Sequence, residues 1–123
     1  MTTYREMNRE LWSGRVDAED GERGRRWHQV VQPVGRDAGG LAPTAAPGVA
    51  LLGFASDAGV SRNRGRPGAA EGPAALRRML ANLAWHGGDT ERLYDAGDVV
   101  CEGDSLEDAQ SAYGERLAAL LRA

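Results

Sequence analysis

The stretch VALLGFA at residues 49–55 decides the fold class of this chain. It is the longest apolar run, it contains Gly53 as its one interruption, and it lies between a Pro-Gly pair and a Ser-Asp pair. A short apolar run between turn residues is typical of a strand that is covered on both faces of a parallel sheet. Because a membrane span needs about 20 apolar residues, the run predicts a buried strand and no membrane span.

Two helices and a second strand are predicted after this run. Pro73 suits the first turn of a helix, apolar side chains recur in that helix at the expected spacing, and the Gly-Gly pair at residues 87–88 ends it. Residues 93–101 predict a second strand, and residues 106–121 carry the apolar face of a final helix. The order strand, helix, strand, helix is the start of a doubly wound parallel α/β sheet.

Only the first two strands and helices of such a sheet are predicted here. Two adjacent strands leave an unpaired apolar edge, and the sequence stops inside an apolar helical pattern without a glycine or proline stop. We therefore expect the front portion of a larger α/β protein, with residues 49–123 as the truncated first part of its domain. Residues 1–48 are predicted as an irregular segment with a short helix over residues 4–11 and loop at residues 35–40 and 42–48.

The composition excludes several classes of protein. The 123 residues include 15 basic residues, all of them arginine, and 18 acidic ones, which give a net charge of -3. This balance argues against a polycationic nucleic-acid binder. The lone Cys101 cannot form an internal disulfide or a thiolate metal cage, and the N-terminal residues lack the apolar core of a secretion signal. We expect a cytoplasmic protein without nucleic-acid or membrane partners.

A ligand site is predicted on residues 56–72, the long loop after the first strand. Ligands of open α/β sheets bind beyond the carboxyl ends of the strands, and this loop is longer than the usual connection of about 2–6 residues. Its three arginines, Arg62, Arg64 and Arg66, offer forked donors that suit a carboxylate or a phosphate. The alternative is that these arginines pair with carboxylates of the protein itself or of a neighbouring subunit.

No metal or catalytic residues are predicted from the remaining polar side chains. Asp95, Asp98 and the acidic residues that follow them lack the alternating spacing of a calcium loop, so we expect Asp95 and Asp98 to hydrogen-bond loops near the end of their strand. His28 and His86 lie far apart in sequence and are predicted to be structural too. A lysine-free chain also excludes the GxxxxGK[ST] phosphate loop.

Several motifs resemble those of one enzyme superfamily. The sequence RPGAAEGPAALR at residues 66–77 resembles the R-x-G-x-x-x-G-P-x-x-[IL]-R stretch of the arginase/agmatinase (ureohydrolase) superfamily, and DAGDV at residues 95–99 resembles its D-x-G-D-V strand. Further stretches are similar to the formimidoylglutamase branch of histidine degradation: WSGRVD (12–17), WHQVV (27–31), LGFASDAGV (52–60) and ANLAWH (81–86).

The resemblance implies a three-layer α/β/α domain and a hydrolase of C–N bonds in linear amidines. Members of this branch use two manganese ions to convert N-formimidoyl-L-glutamate, a small-molecule substrate, to L-glutamate and formamide. The superfamily's metal motifs GGGHE, DAHxD and DxDxxD do not occur in this sequence. The resemblance therefore implies metal ligands outside this chain, an inactive chain when alone, and a homo-oligomer as one possibility for a full-length protein.

Two residues of the long loop match superfamily positions at the rim of the site, and they are Asn63 and Arg66. The resemblance implies that they bind substrate, since the substrate has two carboxylates. An agmatinase- or arginase-type hydrolase is the enzyme alternative, although three loop arginines would repel a cationic substrate. Two other hypotheses are a non-catalytic module that binds anions and a structural chain that completes its sheet with a partner.

Overall fold

The computed structural model of the protein describes residues 2–34, 36–37, 40–41, 48–89 and 91–123. The strands are β1 (Thr2–Arg5), β2 (Gln32–Pro33), β3 (Arg36–Asp37), β4 (Gly40–Leu41), β5 (Gly48–Ala55) and β6 (Arg92–Cys101). The α-helices are α1 (Trp27–Val30), α2 (Ala58–Arg62), α3 (Gly72–Leu80) and α4 (Leu106–Arg122). Short 3-10 helices cover Arg9–Leu11, Ala18–Gly24 and Ala69–Glu71.

Strand β6 is the centre of a four-stranded sheet. On one side it pairs in parallel with β5, from Gly48 opposite Arg92 to Ala55 opposite Val100. On its other side it pairs with β1 in antiparallel and with β2 in parallel orientation. In the part of the chain that the structure describes, no strand pairs with the outer edge of β5. Strands β3 and β4 form a separate two-stranded ribbon.

The predicted α/β fold class and the order strand, helix, strand, helix are confirmed by β5, α3, β6 and α4. The sheet is mixed, because β1 and β2 cover the edge of β6 that a two-stranded sheet would leave open. The helix predicted over residues 4–11 is wrong, since β1 occupies its beginning and a 3-10 turn, Arg9–Leu11, its end. The division of the chain at residue 48 stays a prediction.

Two loop predictions and one helix end also need correction. Strands β3 and β4 lie within residues 35–41, whereas residues 42–47 are outside the described part of the chain. The long loop contains α2 and a 3-10 turn, Ala69–Glu71. Helix α3 ends at Leu80 and not at the glycine pair, because the carbonyls of Ala81 and Leu83 accept hydrogen bonds from the backbone of α1.

The helices α3 and α4 lie on opposite faces of the sheet. Leu51 packs in a cluster with Trp12, Leu80 and Leu93, whereas Phe54 packs in a second cluster around Ala109 of α4. Since side chains alternate along a strand, Leu51 and Phe54, three residues apart, point to opposite faces. The result is three layers, with α3, the sheet and α4 in that order. None of the described helices is long and apolar enough to cross a bilayer.

Candidate functional site

The carboxyl ends of β5 and β6 meet at one edge of the sheet. Ala55 lies opposite Val100, so the loop after β5 and the turn after β6 leave the sheet side by side. The connection from Ser56 to Glu71 is the longer of the two, and it carries the predicted substrate residues. This edge is where open α/β sheets bind their ligands, so we take it as the candidate site.

One anchor of this connection is the carboxylate of Asp57. Its Oδ1 accepts hydrogen bonds from the backbone N–H groups of Gly68, at 2.9 Å, and Ala70, at 3.0 Å. These backbone donors lower the pKa of Asp57, because they stabilise the charged form of its carboxylate. Asp57 thereby closes the connection into a loop whose two ends are held together.

The second anchor is Arg62, at the end of α2. Its Nε donates to Oδ1 of Asp104 at 2.8 Å, and its two terminal nitrogens donate to the two carboxylate oxygens of Glu107 at 2.6 and 3.0 Å. The bonds to Glu107 and Asp104 raise the pKa of Arg62, and the bond from Arg62 lowers the pKa of Glu107 to about 2. For Arg62 the alternative hypothesis is therefore confirmed, because this arginine pairs with the protein's own carboxylates.

Three polar side chains are exposed in the segment between Arg62 and Gly68, those of Asn63, Arg64 and Arg66. Asn63 ends α2 with a backbone bond to Gly59, and Arg64 has a positive φ of 57°. In contrast to Arg62, neither Arg64 nor Arg66 has a guanidinium hydrogen bond or ion pair to the described residues. Two cationic forks are thus presented to solvent by a loop that is fixed at both ends.

A second cluster of charged side chains joins α3 to β6, and Arg77 of α3 is at its centre. Arg77 is only 4% exposed, and its Nε and one terminal nitrogen bind the two carboxylate oxygens of Asp95 at 2.8 and 2.9 Å. Its other terminal nitrogen donates to Asp98 at 2.7 Å, and the carbonyl of Gly97 accepts a further bond at 2.9 Å. We call Arg77, Asp95 and Asp98 the buried ion cluster.

An irregularity in β6 allows both aspartates to reach the same arginine. Residues three apart on a regular strand point to opposite faces, but the register shifts by one residue between the pairs Leu51–Asp95 and Gly53–Asp98. Gly97 takes up the extra residue with a φ of 76°, and a Cβ at this position would collide with the backbone carbonyl of Arg5. The glycine of the D-x-G-D-V motif is therefore required by the bulge.

The buried ion cluster has two further partners from the N-terminal segment. The indole N–H of Trp12 donates to Asp95 at 2.7 Å, and Arg5 donates to the second oxygen of Asp98 at 2.8 Å. Burial alone would lower the pKa of Arg77, but its bonds to Asp95 and then Asp98 outweigh that effect and raise it. The structural role predicted for both aspartates is confirmed, but the partner that they share is an arginine of α3 and not a loop. Arg77, which sequence reasoning did not single out, is the residue that they bind.

The described residues do not fit a metal centre. They contain no group of three or more His, Cys, Asp or Glu side chains that could hold an ion. The acidic pair Asp95 and Asp98 is occupied by Arg77, and the ring nitrogen Nε2 of His28 lies 2.8 Å from the backbone carbonyl of Arg15. This geometry supplies no ligand set for the two manganese ions that the family resemblance implies.

Comparison with known proteins identifies sequences similar to this chain. A sequence model of the arginase family matches residues 47–123. Proteins named formimidoylglutamase are 50% identical over 95% of this chain in Chromobacterium violaceum, and 52% identical over 96% of it in Aromatoleum aromaticum. The matched regions make up 35% and 34% of those two proteins, so this chain spans about a third of the length of these relatives.

Proposed function

Because this chain belongs to the arginase family, we propose that it forms part of a formimidoylglutamase, a hydrolase that converts N-formimidoyl-L-glutamate to L-glutamate and formamide. The observation that carries this proposal is the similarity of nearly the whole chain to proteins of that name. The loop between Asp57 and Ala70 adds chemical support, since it offers two guanidinium groups without partners among the described residues, at the edge where open α/β sheets bind their ligands.

We assign Asn63 and Arg66 to the substrate side of the site. N-formimidoyl-L-glutamate carries two carboxylates, and a guanidinium binds a carboxylate through two parallel charge-assisted hydrogen bonds. Arg66 is exposed and has no carboxylate partner among the described residues, so binding substrate would not break an existing ion pair. An agmatinase-type reaction is disfavoured, because its cationic substrate would meet Arg64 and Arg66, which no carboxylate of the described residues neutralises.

The chemistry assigned to this chain is positioning and not the activation of water. The family uses two manganese ions, which lower the pKa of bound water when present. The described residues provide no ligands for such ions, so we assign those ligands to residues outside the described part of this chain. Asp57 and Arg62 hold the loop, and Arg66 and Asn63 then meet a substrate that lies at the edge of the sheet.

A chimeric enzyme tests the proposed function. This chain would replace the matched third of the Chromobacterium violaceum protein, and the release of L-glutamate from N-formimidoyl-L-glutamate would be measured in the presence of Mn²⁺. We expect turnover of this substrate and none of agmatine. A folded chimera that hydrolyses agmatine in preference, or neither substrate, would overturn the proposal.

Arg66→Ala, with Arg64→Ala as its matched control, tests the assignment within that chimera. A hydrogen bond to a charged group contributes about 1.5–3 kcal/mol, so loss of Arg66 should raise KM by about 10- to 150-fold. Arg64 is also exposed and also lacks a partner among the described residues, and we expect its removal to change KM less than about threefold. Equal effects of the two variants would contradict a specific role for Arg66.

A further inference from the structure

The N-terminal segment, residues 2–34, is the part of the molecule that the proposed function leaves unexplained. It precedes residues 47–123, which match the arginase family. The two relatives named formimidoylglutamase match 95% and 96% of this chain, so their similarity extends into this segment. The segment is therefore shared with those relatives and lies outside the arginase-family match.

An ion pair between Arg5 and Asp98 links this segment to β6. Arg5 lies directly opposite Asp98 where β1 pairs with β6. Its Nε, at 3.2 Å, and one terminal nitrogen, at 2.8 Å, both donate to Oδ2 of Asp98. The other oxygen of this carboxylate, Oδ1, accepts a hydrogen bond from Arg77 of α3 at 2.7 Å. Asp98 therefore uses one oxygen to bind the N-terminal segment and the other to bind α3.

The carboxylate of Asp98 also lies close to the first turn of α3. A Cβ added to Gly53 of β5 would collide with Oδ1 of Asp98 and would come within 2.9 Å of the side chain of Pro73. The carboxylate and Pro73, which is in the first turn of α3, therefore pack against the same point of β5. Because a packed interior leaves little free space, a displaced carboxylate would move the start of α3.

The first turn of α3 is also the place where the loop of the candidate site ends. The 3-10 turn Ala69–Glu71 leads directly into α3, and the backbone of Ala70 is bound by Asp57. Arg66 lies seven positions before Pro73. Asp57 closes this loop on itself, whereas the first turn of α3 sets the position of the loop relative to the sheet. The location of Arg66 at the sheet edge therefore depends on how α3 packs.

The surroundings of Arg5 indicate what its loss would change. The side chain of Arg5 is 52% exposed, whereas that of Asp98 is 6% exposed. A groove of about 140 Å³ lies beside them, and Arg5, Glu71 and Ala74 are among the residues that line it. Without Arg5 a buried carboxylate oxygen would lose its partner, which is costly, so Asp98 would turn towards Arg77 or towards water in the groove. Either movement would take its other oxygen away from the first turn of α3.

We propose that Arg5 is a positioning residue for the candidate site: it fixes the carboxylate of Asp98, and through it the first turn of α3 and the place where Arg66 meets the substrate. This inference rests on the proposed function, since it takes Arg66 as the residue that binds a substrate carboxylate. Trp12 holds Asp95 in a similar way, but it is 3% exposed in the hydrophobic core, so its replacement would also disturb folding. Arg5 is half-exposed and can be replaced with less effect on the core.

Steady-state kinetics of the chimeric enzyme test this role. We expect Arg5→Gln to raise KM for N-formimidoyl-L-glutamate by about 5- to 10-fold and to leave kcat within about twofold, because Arg66 binds the substrate and does not react. Arg5→Lys keeps the charge on a single ammonium group, so it should restore part of this loss. Arg15→Gln is the matched control, because Arg15 also lies in the N-terminal segment and pairs with an aspartate, Asp17 at 2.7 Å, and it should change neither constant.

A double variant separates positioning from a general loss of stability. In the Arg66→Ala background, Arg5→Gln should not raise KM further, because the group that Arg5 positions is absent. A purely structural role would lower the amount of folded enzyme, and hence the apparent kcat, without changing KM. An unchanged KM in Arg5→Gln, an equal rise in Arg15→Gln, or a full additional rise in the Arg66→Ala background would overturn the proposal.

Hydrogen exchange of the same chimera distinguishes failure of this inference from failure of the proposed function. Amides of residues 69–77 should exchange faster in Arg5→Gln than in the unmodified chimera, and at an unchanged rate in Arg15→Gln. Such faster exchange without turnover of N-formimidoyl-L-glutamate by any version of the chimera would count against the proposed function and leave the link from Arg5 to the loop in place. Unchanged exchange in Arg5→Gln overturns that link even if the enzyme is active.

Discussion

Arg66 and Arg77 lie eleven positions apart in one motif, yet they occupy opposite environments. Arg77 is buried in the interior, where Asp95, Asp98 and a backbone carbonyl use its guanidinium nitrogens. Arg66 lies in solvent at the sheet edge and has no carboxylate partner among the described residues. The comparison shows that a motif shared by a family combines groups that hold the fold with groups that face a ligand.

Burial and the number of existing partners separate these two roles. Binding a ligand at Arg77 would require breaking bonds to two buried carboxylates, and an unpaired buried charge is costly. Arg62 is intermediate, because it is exposed but already bound to Asp104 and Glu107. Only Arg64 and Arg66 of the loop combine exposure with free donors in the described structure. The comparison therefore predicts effects on stability at Arg77 and on ligand binding at Arg66.

The largest effect is expected from Arg77→Leu. Removal of one partner from a buried ion pair costs about 3–5 kcal/mol. Asp95 and Asp98 both lose Arg77 here, while Asp95 keeps the indole N–H of Trp12 and Asp98 keeps Arg5. The free energy of unfolding, from urea titration followed by circular dichroism, should fall by about 3–5 kcal/mol. Its neighbour Arg78 is exposed, so Arg78→Leu should change the same quantity by less than about 0.5 kcal/mol. Similar losses for both variants would show that the buried ion cluster does not hold α3 to the sheet.

Gly97→Ala tests the bulge that directs both aspartates to Arg77. A non-glycine residue at a φ of 76° is strained by about 1–3 kcal/mol, and the added Cβ would push against the backbone of β1. We expect a loss of stability of that size together with faster amide exchange in β1. Gly114→Ala is the control, because Gly114 lies within α4 with open space around it, and there alanine should be neutral or stabilising. Unchanged exchange in β1 would contradict the proposed collision.

Local sequence patterns were sufficient to predict the central elements. The continuous apolar run and the spacing of leucines predicted β5, α3, β6 and α4, because burial on both faces and helical periodicity leave clear signals in sequence. The bounds of β5 and β6 agree with the prediction to within one residue. The end of α3 was missed, since it depends on hydrogen bonds to α1, a segment more than 50 residues earlier in the chain.

Long-range pairing explains what the sequence could not predict. Strand β1 has no strand pattern of its own, and it forms because the edge of β6 offers unpaired backbone groups. The partner of Asp95 and Asp98 was also missed, although Arg77 belongs to one quoted motif and both aspartates to another. A bulge is set by the register between two strands, so the spacing of Asp95 and Asp98 alone suggests opposite faces. The assignment of Asn63 and Arg66 to substrate stays a proposal.

The smallest effect is expected where the loop is anchored, at Arg62→Gln. The pKa of Glu107 is about 2 in the folded protein, against an ordinary value of 4.5. A carboxyl group with a lowered pKa stabilises the fold above its unfolded pKa, and that contribution is lost as the pH falls from 4.5 towards 2. Without Arg62 the pKa of Glu107, measured by NMR titration, should rise towards 4.5, and the acid-dependent loss of stability should become smaller.

Arg64→Gln should leave this titration unchanged, and 1 M salt should weaken the effect of Arg62 because the ion pair is exposed. If the pKa of Glu107 stays at about 2 in Arg62→Gln, Arg62 does not hold the loop and Asp57 holds it alone. The contrast between Arg62, which has carboxylate partners, and Arg66, which has none among the described residues, would then lose its basis.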